Sequence, residues 1–144
     1  MLVEKEWKPL KLMAVDDQDL QIFSQCLYES IIISSEINYN KKTKQFAMAI
    51  ERFTWEAAHG QSHLLMQVLA VLVINNVETV DMQNIFNTNK IKNILSISNI
   101  DNNILIMLND GEVITIKVKK CFCLLEDIGK PINPAIIPAY SKND

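Results

Sequence analysis

The sequence predicts an α+β domain made of an N-terminal helix, about seven antiparallel strands and a C-terminal capping helix. Two apolar patterns with helical spacing, one near each end of the chain, predict the helices. Between them, apolar and polar residues alternate, and asparagine-rich turn signals interrupt the alternation. Such a pattern is typical of antiparallel strands joined by hairpins.

The composition is that of one globular domain. The chain has 144 residues, of which 49% are hydrophobic and 22% charged, and this is enough for one core. We expect a single domain over residues 1–144, with its core in residues 10–130 and an extended, proline-containing tail in residues 131–144. The formal net charge of −3 disfavours nucleic acid as a partner, because duplex-binding proteins normally carry a surplus of basic side chains.

Several features indicate a cytoplasmic protein. The N-terminus lacks the apolar run of a signal peptide, and the longest apolar stretch, residues 64–74, is too short for membrane insertion. Three cysteines are an odd number and do not indicate a disulfide framework. Isoleucine, asparagine and lysine are abundant, and a single arginine stands against thirteen lysines. This composition indicates AT-rich codon usage, as found in reduced bacterial genomes.

The N-terminal segment combines an extended piece and a helix. Residues 1–15 are expected to form a lead-in that is extended around residues 10–15. Asp16 can cap the helix that follows, because its side-chain oxygen can accept a hydrogen bond from the first turn. An amphipathic helix is predicted over residues 17–30, where apolar residues recur at helical spacing: Leu20, Phe23, Leu27 and Ile31.

Strand-like alternation then occupies most of the chain. The predicted strands are residues 31–39, 44–55, 64–74, 77–82, 91–100, 104–108 and 113–118. The strongest hairpin signal between them is Asn109-Asp110-Gly111. In the second strand the apolar phase changes near Arg52, because Phe53 and Trp55 have the opposite parity to the preceding apolar residues. We predict a β-bulge at Glu51–Phe53 that returns both sets to the core.

The last predicted element is a helix over residues 119–129. Gly129 can end it as the C′ residue, and Pro131 blocks its continuation. The apolar residues at i, i+3, i+4 and i+7 that define its face are Cys121, Leu124, Leu125 and Ile128. The element order is that of a pleckstrin-homology-like barrel or curved sheet, and another helix-on-sheet α+β arrangement stays open.

Three segments carry a resemblance to a known family. LKLMAVDDQDL at residues 10–20, RFTWE at 52–56 and the stretch at 111–129 that ends in LLEDIG resemble the alphaproteobacterial domain-of-unknown-function family 2948. Members of that family carry similar LKL-x-A-x-D-x-x-DL, RF-x-WE and L-x-DLG segments. Asn84 stands where the family pattern has glycine, and asparagine tolerates a positive φ. The resemblance implies a bacterial cytoplasmic protein and no assigned reaction.

The familiar catalytic and metal-binding motifs are missing from the sequence. His59 and His63 lie four apart in a loop, but Gly60 stands where the helical metalloprotease motif needs glutamate. Cys121 and Cys123 would point about 200° apart on a helix, so they could not hold one zinc ion, and Cys123 is expected to be half-exposed. With only three glycines, the chain offers no phosphate-cradling loop. We therefore predict no catalytic residues, no metal, no cofactor and no enzymatic activity.

The candidate binding residues are Arg52, Trp55 and Glu56. In a chain where lysine replaces arginine elsewhere, Arg52 is expected to use the planar fork that lysine lacks. One interpretation is an ion pair or aromatic stack that pins the predicted bulge, with Glu51 or Glu56 as partner. The other is contact with an anion on a binding surface.

The leading functional hypothesis is a non-enzymatic module that binds another protein or a peptide through a sheet edge or a helix–sheet groove. The alternative is a small-molecule or anion-binding domain that uses Arg52 and its neighbours, and a weak enzyme is third. Sheet edges could also join copies into a homo-oligomer. Lys41, Lys42 and Lys44 lie where pleckstrin-homology domains hold lipid headgroups, but three lysines in a hairpin are more typical of a solvated turn.

Overall fold

The computed structural model describes residues 7–134, so residues 1–6 and the predicted tail residues 135–144 lie outside it. The described chain contains two α-helices, α1 (Asp17–Leu27) and α2 (Trp55–Ala58), and a 3-10 turn at Ser62–Leu64. Its nine strands are β1 (Lys11–Ala14), β2 (Ile31–Asn40), β3 (Gln45–Phe53), β4 (Gln67–Ile74), β5 (Val77–Asp81), β6 (Ile94–Ile100), β7 (Asn103–Leu108), β8 (Val113–Val118) and β9 (Cys123–Asp127).

The strands form two antiparallel sheets. The five-stranded sheet has the order β1-β9-β4-β3-β2, and the four-stranded sheet has the order β5-β8-β7-β6. An antiparallel bridge between Ile31 and Asn93 links the start of β2 to the chain just before β6. The antiparallel α+β class is thus confirmed. The predicted barrel is wrong, because within residues 7–134 the strands form two separate sheets that do not close.

The main core lies between the inward faces of the two sheets and is covered by α1. Every second residue of the central strands is buried, as the strand period of two requires. Leu20, Phe23 and Leu27 of α1 belong to the same cluster and have at most 1% of their surface exposed. Burying one such side chain contributes about 1.5–3 kcal/mol. The core residues from the strands include Phe46, Met48, Ile50, Ala70, Leu72, Ile74, Ile104, Ile106, Ile114 and Ile116.

The N-terminal helix is three residues shorter than predicted. Asp16 caps it as expected, because its Oδ1 accepts a 2.8 Å hydrogen bond from the backbone N–H of Asp19. The helix ends at Leu27, and Glu29 adopts a left-handed conformation with φ of 65°. The backbone N–H of Glu29 then donates to the carbonyl of Ile94 at 2.7 Å. Pairing with the β6 segment therefore ends the helix before its apolar pattern ends.

The predicted bulge at Glu51–Phe53 is wrong. The pairing of β3 with β4 is continuous from Phe46 to Phe53, and Arg52 keeps the inward parity of the strand. Phe53 faces the other way, where it forms a second apolar cluster with Ala58 and Leu65. The phase change therefore marks two cores on opposite faces. The register shift of this sheet lies in β2 instead, between residues 32 and 37.

The predicted C-terminal helix over residues 119–129 is wrong, and the segment forms β9 between β1 and β4. Cys123, Leu125 and Asp127 face inward at the strand period, whereas Leu124 and Ile128 are exposed. Because Asp127 is inward and the apolar Leu124 and Ile128 are outward, the apolar residues of this strand have the spacing of a helix face. Asp127 can occupy an inward position because Arg52 neutralises it.

Gly129 has a different role from the predicted helix cap. A Cβ atom at this position would approach the Cβ of Leu69 to 3.1 Å, tighter than nine in ten real contacts of a Cβ atom. The backbone N–H of Gly129 donates to the carbonyl of Leu69 at 3.1 Å. Glycine therefore allows the chain after β9 to lie directly against β4.

The hairpin predicted at Asn109-Asp110-Gly111 is confirmed, because these residues join β7 to β8. Asn76, Asn102 and Gly111 have φ values of 57°, 63° and 88°. Asn84 also has a left-handed backbone, with a φ of 63°. Asparagine is the residue other than glycine that best accepts this left-handed region, so Asn76, Asn84 and Asn102 adopt it with little strain.

Candidate functional site

Arg52 is the most fully paired side chain of the described chain. It ends the inward row of β3 with none of its surface exposed. Its Nε and Nη2 donate to the two carboxylate oxygens of Asp127 at 2.7 and 2.8 Å. Its Nη1 and Nη2 donate to the two oxygens of Glu56 at 2.9 and 2.8 Å, and Nη1 also donates to the carbonyl of Phe53 at 3.0 Å. All five guanidinium donors therefore have acceptors.

Asp127 anchors this group, called here the Arg52 cluster (Arg52, Glu56 and Asp127). Its side chain is fully buried, and its Oδ2 also accepts a 2.8 Å hydrogen bond from the backbone N–H of Leu10. Asp127 lies opposite Ala70 of β4, and Arg52 lies opposite Val68 of the same strand. The ion pair thus joins β9 to β3 across β4.

The charge balance of the Arg52 cluster is negative. Burial opposes the positive charge of Arg52, but the hydrogen bonds to Asp127 and Glu56 outweigh this effect and raise the pKa of the guanidinium above its usual value. One guanidinium faces two carboxylates, so the formal sum is −1. The side chain of Glu56 remains 34% exposed, whereas that of Asp127 is buried, so Glu56 is the carboxylate of the cluster that a ligand can reach.

The helix α2 places Glu56 over Arg52. Thr54 ends β3 by a double contact with Met66: its N–H donates to the Met66 carbonyl and its Oγ1 accepts from the Met66 N–H, both at 2.9 Å. The chain then turns into α2 at Trp55, and Ala57 and Ala58 are buried beneath it. Glu56, four residues after Arg52, is thereby brought back over the guanidinium.

Trp55 docks α2 against the end of α1. Its indole Nε1 donates a 2.7 Å hydrogen bond to the carbonyl of Tyr28, the C-cap residue of α1. The Trp55 ring lies 5.9 Å from the Tyr28 ring at a tilt of 52° and 5.9 Å from the Phe53 ring at 57°. These tilted pairs are favourable aromatic geometries, so the relative position of the two helices is well specified.

An open cleft of about 630 Å³, called here the α1–α2 cleft, lies between these helices. Among the residues that line the cleft, Glu56 is the one with a charged side chain. The thiol of Cys26 also faces it, and burial raises the pKa of that thiol. The cleft is lined by Gln21, Ser24, Gln25, Cys26, Tyr28, Trp55 and Glu56.

The structure brings the three predicted site residues together, but in different roles. Trp55 and Glu56 line the cleft, whereas Arg52 lies behind Glu56 with its donors used. The expected ion pair with Glu56 is present, while Glu51 accepts a hydrogen bond from Gln67 instead. That these residues bind a partner stays a prediction.

Sequence reasoning missed Asp127 and Tyr28. Asp127 was hidden by the false helical pattern, although the alternation of Cys121, Cys123, Leu125 and Asp127 was a signal that could have revealed it. Tyr28 follows the helix without a motif, so its contact with Trp55 had no signal in the sequence.

The other residues considered in the sequence lie elsewhere. His59 and His63 are exposed. Lys41, Lys42 and Lys44 are exposed in the turn after β2, where the Oδ1 of Asn40 accepts from the Lys42 N–H at 3.0 Å. Cys123 was expected to be half-exposed, and this is wrong: it is fully buried, and desolvation raises its pKa. It faces inward because the segment is a strand.

Residues 7–134 contain neither a metal-binding cluster nor a membrane-spanning helix. No three His, Cys, Asp or Glu side chains in this part of the chain are grouped as a metal site requires. None of its helices is long and apolar enough to cross a membrane.

Comparison with known proteins identifies the family. No curated protein and no solved structure shows significant similarity to the chain. The sequence profile of the protein-of-unknown-function family DUF2948 matches residues 10–140. This match covers most of the chain and includes β1, the Arg52–Glu56 segment and β9. The chain therefore belongs to the DUF2948 family.

Proposed function

We propose that this protein is a non-enzymatic interaction module that binds a peptide segment of another protein in the α1–α2 cleft. The observation that carries the proposal is the cleft itself, an open groove with aromatic side chains and one oriented carboxylate. Grooves of this kind recognise peptides by apolar anchors, with a few polar groups that fix orientation.

The walls of the cleft support this role. Tyr28 and Trp55 are amphipathic aromatics, the residue type that most often dominates binding energy at interfaces. Trp55 is held by its hydrogen bond to Tyr28 and by packing against Phe53, so little side-chain entropy remains to be lost on binding. Its mobility is restricted before a partner arrives.

The edge of β6 is a poorer candidate for strand addition. Ser24 of α1 both donates to and accepts from the backbone of Ile97, at 2.8 and 2.9 Å. Asp17 accepts a 2.8 Å hydrogen bond from the N–H of Asn99. Because α1 occupies these backbone groups, a peptide strand could pair there only by displacing the helix.

Anion binding through Arg52 is the weaker alternative. The guanidinium has no free donor, and an anion in the cleft would face Glu56. Binding an anion would therefore require the Arg52 cluster to open, and a buried carboxylate would lose its partner.

The absence of enzymatic activity is also part of the proposal. Cys26 is a potential nucleophile in the lining of the cleft, but burial raises its pKa and so disfavours the reactive thiolate. Neither His59 nor His63 lines the cleft. We further propose the cytoplasm of an alphaproteobacterium as the setting, on the basis of amino-acid composition and family resemblance.

Panning of a random peptide display library against the purified protein tests the proposal. We expect enriched peptides that bind the wild type and lose at least tenfold in affinity for Trp55→Ala, because the aromatic wall is removed. Phe122→Ala, a change at a partly buried aromatic that does not line the cleft, serves as the control and should retain binding. No enriched peptide, or equal binding to Trp55→Ala, would contradict the proposed function.

A further inference from the structure

The carboxylate of Glu56 has an orientation that is fixed from behind. Each of its oxygens accepts one hydrogen bond from Arg52, at 2.9 and 2.8 Å. A carboxylate oxygen has more than one acceptor site, and the side chain is 34% exposed, so acceptor capacity remains on the cleft side. Glu56 therefore offers the cleft a pre-oriented pair of acceptors.

The net negative charge of the Arg52 cluster favours a positively charged ligand. The positive charge of Arg52 is shared by Glu56 and by the buried Asp127, so Glu56 is not fully neutralised. Gln21 and Gln25 on α1 add neutral side chains to the cleft. A cation is attracted by this arrangement and an anion is repelled.

The aromatic residues suit a cation as well. The rings of Tyr28 and Trp55 lie 5.9 Å apart at a tilt of 52°, and both residues line the cleft with Glu56. The faces of such rings attract ammonium and guanidinium groups, and their surfaces also pack against the methylene stem of a lysine or arginine.

We propose that the α1–α2 cleft recognises a lysine or arginine side chain of the bound peptide. Its charged end pairs with Glu56, and its stem lies against Trp55 and Tyr28. Arg52 acts as a positioning residue, because it orients Glu56 without touching the peptide. This inference rests on the proposed function and names the residue that the cleft selects.

A titration with a small probe tests the selectivity directly. N-acetyl-arginine methylamide is added to the ¹⁵N-labelled protein, and the indole N–H signal of Trp55, assigned with Trp55→Phe, is followed by NMR. N-acetyl-citrulline methylamide is the neutral control of nearly equal shape. From the shift of this signal, the arginine probe should bind with at least tenfold higher affinity than the citrulline probe. Added salt should weaken the binding of the arginine probe. Equal responses to both probes would overturn the inference.

Three variants locate the effect. Glu56→Gln should lower the affinity for the arginine probe at least tenfold, and a thermal melt checks that the variant is folded. Gln25→Lys places a positive charge at the rim of the cleft without changing the Arg52 cluster. It should also lower the affinity for the arginine probe. Gln83→Lys, an equal charge change outside the cleft lining, should bind like the wild type. Unchanged binding to Gln25→Lys and Glu56→Gln would contradict the role of Glu56.

The two proposals can fail separately. If displayed peptides bind through Trp55 but carry no basic residue and tolerate Glu56→Gln, the charge selectivity is wrong and the peptide module stands. If the arginine probe binds as expected but no peptide does, the cation site stands and the peptide module is wrong.

Discussion

Replacing Arg52 with lysine keeps the positive charge but removes the planar fork that two carboxylates share. Arg52 makes five hydrogen bonds, whereas a lysine ammonium has three donors on one nitrogen. At least two charge-assisted hydrogen bonds are therefore lost, each worth about 1.5–3 kcal/mol. Because relaxation recovers part of this loss, we expect the free energy of unfolding to fall by about 3 kcal/mol.

Urea denaturation followed by tryptophan fluorescence measures this change. With a slope of about 1–3 kcal/mol per molar urea, the midpoint should decrease by about 1–3 M while the slope stays constant. Lys42→Arg, the reverse charge-preserving change at an exposed site, should stay within about 0.5 kcal/mol of the wild type. A similarly small change for Arg52→Lys would refute the importance of the fork.

A double-mutant cycle separates the ion pair from simple packing. Asp127→Leu alone leaves the buried Arg52 with Glu56 as its one charged partner and should cost about 3–5 kcal/mol, as expected for breaking a buried pair. The double variant Arg52→Leu/Asp127→Leu should cost clearly less than the sum of the single variants, because no unpaired buried charge remains. Additive costs would show that the two side chains are not energetically coupled.

Three further predictions concern other parts of the fold. Leu125→Asp should cost more than about 4 kcal/mol in a thermal or urea melt, because Leu125 is 0% exposed, whereas Leu124→Asp should be mild because Leu124 is 36% exposed; equal costs would contradict the strand assignment of β9. The hydrogen bond to Lys92 lowers the pKa of Asp110 from 3.8 to about 2, so the stability it adds is complete above pH 4 and is lost as the pH falls toward 2. The difference in melting temperature between wild type and Asp110→Asn should therefore shrink over this range, and a constant difference would exclude the ion pair as its cause. Asn84→Gly should be neutral or stabilising and Asn84→Val should cost about 1–2 kcal/mol, since φ is 63°; an equally stable valine variant would contradict the left-handed turn.

Most strands were predictable because their burial is regular. In β8 and β4 every second residue faces the main core, so period-two alternation or an unbroken apolar run is visible in the sequence. The turns were predictable for a local reason as well, because Asn76, Asn102 and Gly111 supply the left-handed conformations that their turns need. Both signals depend only on neighbouring residues.

The end of the chain and the cleft were not predictable from local patterns. The strand β9 looked helical because its inward Asp127 depends on Arg52, 75 residues earlier in the chain. The α1–α2 cleft depends on a side-chain hydrogen bond between Trp55 and the Tyr28 carbonyl, across 27 residues. Arg52 was nevertheless singled out by composition, since it is the single arginine in a chain with thirteen lysines.

Site-specific photo-crosslinking in living cells of the native host tests the proposed role of the cleft most directly. A benzoylphenylalanine residue is placed at position 25, on the exposed rim of the cleft, and at position 83, which is also exposed but outside the lining. Position 25 should give one discrete adduct with a partner protein, the adduct should disappear in the Trp55→Ala background, and position 83 should give none. The absence of an adduct from position 25 would contradict a peptide-binding cleft. The same adduct from both positions, or an adduct that persists with Trp55→Ala, would also contradict it.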